Sequence, residues 1–274
     1  MRLSLTWTAQ PRKFAPLILT GDFAGSVETA NSMGYQGIEM SIRTAYDISA
    51  TEVIGVIKKY GVQVSAVSTG LAYVEDGLSL VNEDKEIRQN AEVRFKEQIA
   101  FASAVQSDNV IFGLLRGKLS EKISVRQKQQ EWIKTAMKSC AAYAENCGVN
   151  ISIEPINRYE TNYLNTMAEA VAFIGEVGMD NLYVMADTFH MNIEEKNTVD
   201  CIARYKDKIS YVHLADSNRQ IPGNAHIDFP AIINALKHIN YSGFLSLECL
   251  LIDDPAKEAM QAHRYLSTLF NSQE

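Results

Sequence analysis

Apolar residues along the chain alternate between short runs and longer, regularly spaced segments. The short β-rich runs are Leu3–Trp7, Gly37–Met40, Val62–Ser68, Asn109–Leu114, Val149–Glu154, Leu182–Asp187, Ile209–Leu214 and Phe244–Glu248. Between them, apolar residues recur at helical spacing over Val27–Met33, Val53–Tyr60, Ile87–Val105, Gln127–Asn146, Met167–Val177, Val199–Tyr205, Ala231–Ile239 and Ala256–Phe270. Period-two runs separated by amphipathic segments predict strands alternating with helices.

Glycine marks the return from helix to strand. Met33-Gly34-Tyr35, Tyr60-Gly61-Val62, Cys147-Gly148-Val149 and Val177-Gly178 each place Gly where a left-handed residue ends a helix, predicting tight turns at one end of the molecule. The segments leaving strands are longer: 68–84, 113–121, 155–166, 188–195 and 215–229 read as loops. Eight such βα units imply a parallel sheet, and eight strands close a barrel. A doubly wound open sheet is the alternative. It calls for a GxGxxG or P-loop after an early strand, where this chain has Thr8-Ala-Gln-Pro-Arg-Lys13. The prediction is a single (β/α)8 barrel over residues 1–274, with no linker or composition shift marking a second domain.

Composition narrows the class. With 46% hydrophobic and 22% charged residues the chain reads as globular rather than disordered. A formal charge of −7 repels phosphate backbones and argues against a nucleic-acid partner. The N-terminal segment has no signal-peptide h-region, and no stretch nears the roughly 18 apolar residues of a membrane span. Cys140, Cys147, Cys201 and Cys249 form no CxxC pair and read as reduced thiols, consistent with a cytoplasmic enzyme.

The chemistry lies at the strand ends. The fifth to eighth strands close on Glu154, Asp187, His213 and Glu248, at separations of 33, 26 and 35 residues, so all four converge on the barrel mouth. One carboxylate at a strand end is commonly a helix cap or salt-bridge partner. Three together, with an imidazole, repel one another unless a cation intervenes. Oxygen donors plus one nitrogen favour Mn²⁺, Mg²⁺ or Co²⁺, with Mn²⁺ the first choice, and coordination positions left for water or substrate.

Around these residues stands a recognisable signature. Glu154-Pro-Ile-Asn-Arg-Tyr-Glu160 with Tyr163-Leu-Asn-Thr166, Asp187-Thr-Phe-His-Met-Asn-Ile-Glu-Glu195, His213-Leu-Ala-Asp-Ser-Asn-Arg219 and Leu247-Glu248-Cys249 resemble the ketose 3-epimerases of the xylose isomerase-like barrel superfamily. More weakly, Ser68–Tyr73, Asp76–Leu80 and Gly113-Leu-Leu-Arg-Gly117 resemble the 5-keto-L-gluconate epimerase branch, which acts on sugar acids. The resemblance implies a metal on Glu154, Asp187, His213 and Glu248, with Glu154 and Glu248 also transferring protons. It implies that Glu160, His190 and Arg219 contact substrate oxygens or hold the catalytic carboxylates. Relatives read PGxGH where this chain has Pro222-Gly-Asn-Ala-His226, so Ala225 replaces a Gly and His226 drops out of the expected set.

The resemblance implies epimerisation next to a ketone through a cis-enediolate. Arg116, between glycines after the fourth strand, is either a solvated surface residue or a guanidinium facing the mouth. In the second case the substrate is anionic, and the missing phosphate cradle favours a keto-sugar acid of 5-keto-L-gluconate or D-tagaturonate type. A ketose-phosphate 3-epimerase and a hydroxypyruvate-type aldose–ketose isomerase are the alternatives, since they share metal and enediolate. An endonuclease IV-like repair enzyme is the distant one, opposed by the negative charge and by only five histidines. Binding without catalysis is opposed by the carboxylate pair. A homodimer or homotetramer is the expected assembly.

Overall fold

The computed structural model describes residues 1–10, 16–251 and 254–271; Pro11-Arg12-Lys13, part of the segment read against a phosphate loop, lies outside them. In chain order the elements are β1 (Arg2–Thr8), α1 (Phe23–Ser32), β2 (Gly37–Ser41), α2 (Ala50–Tyr60), β3 (Gln63–Ser68), α3 (Gly70–Asp76), α4 (Lys85–Ala104), β4 (Asn109–Phe112), α5 (Ile123–Asn146), β5 (Asn150–Ile153), α6 (Met167–Val177), β6 (Leu182–Asp187), α7 (Thr188–Glu194), α8 (Thr198–Arg204), β7 (Ile209–Leu214), α9 (Phe229–His238), β8 (Phe244–Leu247) and α10 (Pro255–Asn271). Each labelled strand pairs in parallel with the next, and β1 pairs with β8 through Arg2↔Phe244 to Leu5↔Leu247, closing the ring. A two-residue strand, Leu19–Thr20, pairs with Trp7 and Thr8 beside the ring.

Alternation along the strands divides the core. On β1, Leu3, Leu5 and Trp7 pack in the large apolar layer under the helices. Ser4, from the other face, hydrogen-bonds Ser65 Oγ at 2.6 Å, and Ser65 Oγ lies 2.7 Å from Tyr211 Oη. That polar chain runs beside a separate apolar cluster of Ala66, Ile111, Met185, Tyr211 and Phe244. The barrel is therefore a packed core and no channel.

Two bulges interrupt the register. Ile38 pairs with Val64 but Glu39 with Ala66, leaving Ser65 as the extra residue of β3. Val184 pairs with Ile209 but Met185 with Tyr211, leaving Ser210 extra on β7. A bulge re-aims the side chains that follow it, and these two lie beside Glu39 and ahead of His213.

The predicted glycine turns are present, with Gly34, Gly61, Gly148 and Gly178 all at positive φ. The differences from the sequence reading are local. The fourth strand stops at Phe112, and Leu114–Arg116 forms one 3₁₀ turn. Beyond Phe112 the Gly113 carbonyl turns to the amide and Nε of Arg116 rather than to a neighbouring strand. Segments read as loops contain α3 and α7, each seven residues long and too short to show a helical period. Among the described residues, no helix is long and apolar enough to cross a membrane.

Candidate metal centre and active site

Glu154 lies one residue beyond β5, Asp187 ends β6, His213 is next to last in β7 and Glu248 follows β8. One ligand atom from each falls within 4.8 Å of all the others. His213 Nδ1 is the hub, 3.5 Å from Glu248 Oε2, 3.6 Å from Asp187 Oδ2 and 3.8 Å from Glu154 Oε1.

The far sides of two of these groups are anchored, while their near sides are bare. Asp187 Oδ1 accepts from the backbone amides of Phe189 at 2.8 Å and His190 at 3.1 Å, capping α7. The helix-cap role weighed for such a residue is thus real, but it occupies one oxygen. Asp187 Oδ2 is buried with no hydrogen-bond partner, its nearest guanidinium nitrogen being Arg219 Nη1 at 3.5 Å. His213 repeats the pattern: Nε2 lies 2.7 Å from the buried Glu39 Oε2, and Nδ1 is buried without a partner. With Nε2–H donating to Glu39, neutral His213 presents the Nδ1 lone pair to the cluster. Two unpartnered donor atoms aimed at one point, among carboxylates, fit a divalent cation.

Electrostatics agree with that fit. Burial and the charge of Glu248 raise Glu154 to about 8. Burial opposes charge on His213, but Glu39 and Glu248 outweigh it and raise the imidazole well above its ordinary value. Burial also works against ionised Asp187 and Glu248. His190 and Arg219 hold Asp187 far below the usual range, and Arg219 and His213 lower Glu248. Without a cation the cluster holds protons on Glu154 and His213 instead.

The remaining expected residues divide. His190 is 3% exposed, and its Nδ1 lies 2.8 Å from Asn157 Nδ2. Asn157 Oδ1 accepts from Tyr159 N and its Nδ2 also donates to Glu160 Oε1, which fixes the amide and makes His190 Nδ1 an acceptor. His190 Nε2 lies 3.7 Å from Glu154 Oε1 and 3.3 Å from Arg219 Nη1, and burial lowers the pKa of the ring. Arg219, at φ 63°, donates through Nη2 to Glu248 Oε2 and lies 4.5 Å over the Phe189 ring. Glu160, His190 and Arg219 all line the same cleft of about 330 Å³ as Glu154, His213 and Glu248. The rest of its lining is apolar at Pro16, Leu17, Leu71, Val74, Leu114 and Ile156 and polar at Ser41, Ser68, Thr69 and Glu75. His226 is exposed on its loop and lines no part of this cleft.

Arg116 corrects the expectation that it faces the mouth. Its side chain is fully buried, neither solvated nor open to the cleft. Its Nε and four Nη hydrogens go to the carbonyls of Gly113, Tyr163, Leu164, Phe112 and Glu154. No donor is left for a substrate carboxylate, and burial lowers its pKa to about 10.

Two residues were missed by the sequence reading. Glu39 gave one available signal, a carboxylate inside the apolar run Gly37–Ser41, but its partner His213 is 174 positions away. Asp216 is fully buried and accepts from the amides of Ser217, Gly223, Ala225 and Ile227, tying down the loop that carries Arg219.

A closed parallel barrel with ionisable side chains gathered at the C-terminal ends of consecutive strands defines an α/β-barrel with a catalytic-face, metal-type site. The profile of the xylose isomerase-like TIM barrel family matches residues 27–269, and the chain belongs to that family. The L-ribulose 3-epimerase of Methylomonas sp. (strain DH-1) is 30% identical over 242 residues, covering 85% of this chain and 82% of that protein. The 3-dehydro-D-guloside 4-epimerase of Escherichia coli (strain K12) is 25% identical over 244 residues, covering 86% and 90%. A solved L-ribulose 3-epimerase superposes with TM-score 0.81 at 26% identity, covering 98% of this chain and 94% of that chain. These relatives are epimerases, enzymes of the isomerase class.

Two measurements follow from the geometry. Because Glu154 is raised to about 8 and His213 is also raised, both must shed protons to ligate. Mn²⁺ affinity of the metal-free protein is expected to climb about tenfold or more per pH unit from pH 6 to 8. Titration calorimetry in buffers of different ionisation enthalpy counts the released protons, and a flat affinity contradicts the assignment. Glu39→Gln removes the carboxylate that orients His213; Mn²⁺ affinity should fall about 10–100-fold, and wild-type affinity would count against it.

Proposed function

We propose that this chain is a divalent-metal-dependent epimerase acting at the carbon next to the ketone of a small ketose. The observation that carries this reading is the pair of bare, buried donor atoms, Asp187 Oδ2 and His213 Nδ1, facing two further carboxylates in one cleft. Glu154, Asp187, His213 and Glu248 would hold the ion. A bound divalent cation supplies Lewis acidity, making the hydrogen beside a carbonyl more acidic. Mn²⁺ heads the candidates, with Mg²⁺ and Co²⁺ behind it.

Inverting a carbon next to a ketone requires a proton to leave one face and another to arrive on the opposite face. Glu154 and Glu248 come from β5 and β8 and suit these two tasks as base and acid. Gly113 packs directly against Glu154 Oε2, where a Cβ would come within 2.6 Å. Arg219 binds Glu248 and biases it toward the ionised form. Between deprotonation and reprotonation the sugar is a cis-enediolate, and His190, its Nδ1 accepting from Asn157, would turn Nε2 from its 3.3 Å contact with Arg219 Nη1 to donate to the sugar oxygen. Glu160 at the rim and Arg219 are the remaining polar contacts for hydroxyls.

Arg116, with all five donors committed to carbonyls, has none left for a substrate anion. Among the described lining residues, the cleft outside the cluster carries Ser41, Ser68, Thr69 and the carboxylate Glu75 beside its apolar side chains, and its one guanidinium, Arg219, is paired with Glu248. We therefore assign a free ketose ahead of the keto-sugar acid that the sequence suggested, with a ketose phosphate last. Purified protein with Mn²⁺ in D₂O should place deuterium on the carbon next to the ketone in recovered ketose, with no aldose formed. Glu154→Gln and Glu248→Gln should each lower kcat about 10²–10⁴-fold. An aldose product, product without deuterium, or wild-type kcat in either variant sinks the reading, and preferred turnover of keto-hexonates sinks the substrate order.

A further inference from the structure

Arg116 is a charged side chain with 0% exposure that is hydrogen-bonded to no carboxylate among the described residues. A buried guanidinium is costly unless every N–H is bonded. Here all five are, to five different backbone carbonyls, which is the full donor capacity of the residue. Those carbonyls come from three pieces of chain. Phe112 ends β4 and Gly113 follows it, Glu154 follows β5, and Tyr163 and Leu164 lie in the loop that carries Asn157 and Glu160.

The same carbonyls already link these pieces in pairs. Phe112 O also accepts from Glu154 N at 3.1 Å, and Leu164 O from Ile156 N at 3.3 Å. Leu164 is held at φ 57°, a region that a leucine rarely occupies without outside support. Arg116 Nη1 reaches its carbonyl at 3.0 Å. The two glycines beside Arg116 have a steric reason. A Cβ on Gly113 would lie 2.6 Å from Glu154 Oε2, and one on Gly117 would lie 2.0 Å from Ser79 Oγ. Gly113-Leu-Leu-Arg-Gly117 is thus a seat for the Glu154 carboxylate with a clamp behind it.

We infer that Arg116 is a positioning residue: its five-carbonyl clamp sets the backbone of Glu154 and of the 155–166 loop, and through them the metal site and His190. His190 enters because Asn157 and Glu160, both on that loop, fix its tautomer. This inference rests on the metal-dependent reading proposed above. Lysine cannot replace arginine here, since one nitrogen with three donors cannot reach five carbonyls spread around a planar fork.

The test compares wild type, Arg116→Lys and Gly113→Ala by Mn²⁺ titration of metal-free protein, steady-state kinetics and amide hydrogen exchange. Arg116→Lys is expected to bind Mn²⁺ about 10–100-fold more weakly, the loss typical when an outer partner of a ligand is removed. At saturating Mn²⁺ its kcat should fall about tenfold or more while KM moves less than about threefold, and exchange should quicken across residues 154–164. Gly113→Ala crowds the carboxylate while keeping Arg116 and all five backbone carbonyls of the clamp, that of residue 113 included. It should lose Mn²⁺ affinity with the exchange of 163–164 unchanged, which keeps the account testable if Arg116→Lys fails to fold.

A lower Tm with wild-type Mn²⁺ affinity and kcat makes Arg116 a structural brace and overturns the inference. A rise in KM alone returns it to a substrate contact and does the same. If wild type itself binds no Mn²⁺, the functional reading fails separately. The exchange data then decide the clamp, and unchanged exchange across 154–164 in Arg116→Lys rejects it.

Discussion

Like charges gathered in a buried space govern this molecule's functional end. Glu154, Asp187, His213 and Glu248 offer ligand atoms within 4.8 Å of one another, three of the residues being buried. Burial opposes ionisation in every one of them, and each carboxylate raises the pKa of its neighbours. In metal-free protein the strain is relieved in two ways: Glu154 retains a proton up to about pH 8, and Arg219 neutralises Glu248. Neither gives a hydrogen bond to Asp187 Oδ2 or His213 Nδ1, although Arg219 Nη1 approaches Asp187 Oδ2 to 3.5 Å. A divalent cation resolves both the repulsion and the two unpartnered atoms.

The rest of the barrel mouth holds these groups still. Asp187 is fixed from behind by two amides of α7, and His213 by Glu39 from β2, just past a bulge. Glu248 is held by Arg219, whose loop hangs on the buried carboxylate of Asp216. Glu154 is held through its backbone, by the fully satisfied guanidinium of Arg116. Each of the four therefore has its own support from a different strand or loop. Anchoring of this kind fixes the orientation of a ligand and raises its affinity for metal.

The sequence disclosed the features that depend on local order. Strands showed as apolar runs, helix ends as glycines, and the four cluster residues as the one ionisable group closing each of four consecutive strands. What stayed hidden depends on distant partners. Glu39 carries meaning only once His213, 174 positions on, is folded against it. Arg116 looked like an anion receptor because guanidinium groups commonly bind carboxylates. Its actual partners include carbonyls 47 and 48 positions away, and backbone acceptors leave no trace in residue identity. Helices α3 and α7 were read as loops because seven residues span barely two turns.

If the four strand-end side chains form one preorganised cation site, crystals grown with Mn²⁺ and measured near the manganese absorption edge should show a single anomalous peak bounded by Glu154, Asp187 Oδ2, His213 Nδ1 and Glu248. The bonds from Phe189 and His190 to Asp187 Oδ1 and from His213 to Glu39 should remain intact. A peak elsewhere, no peak at saturating Mn²⁺, or a bound ion that frees His213 from Glu39 would contradict such a site.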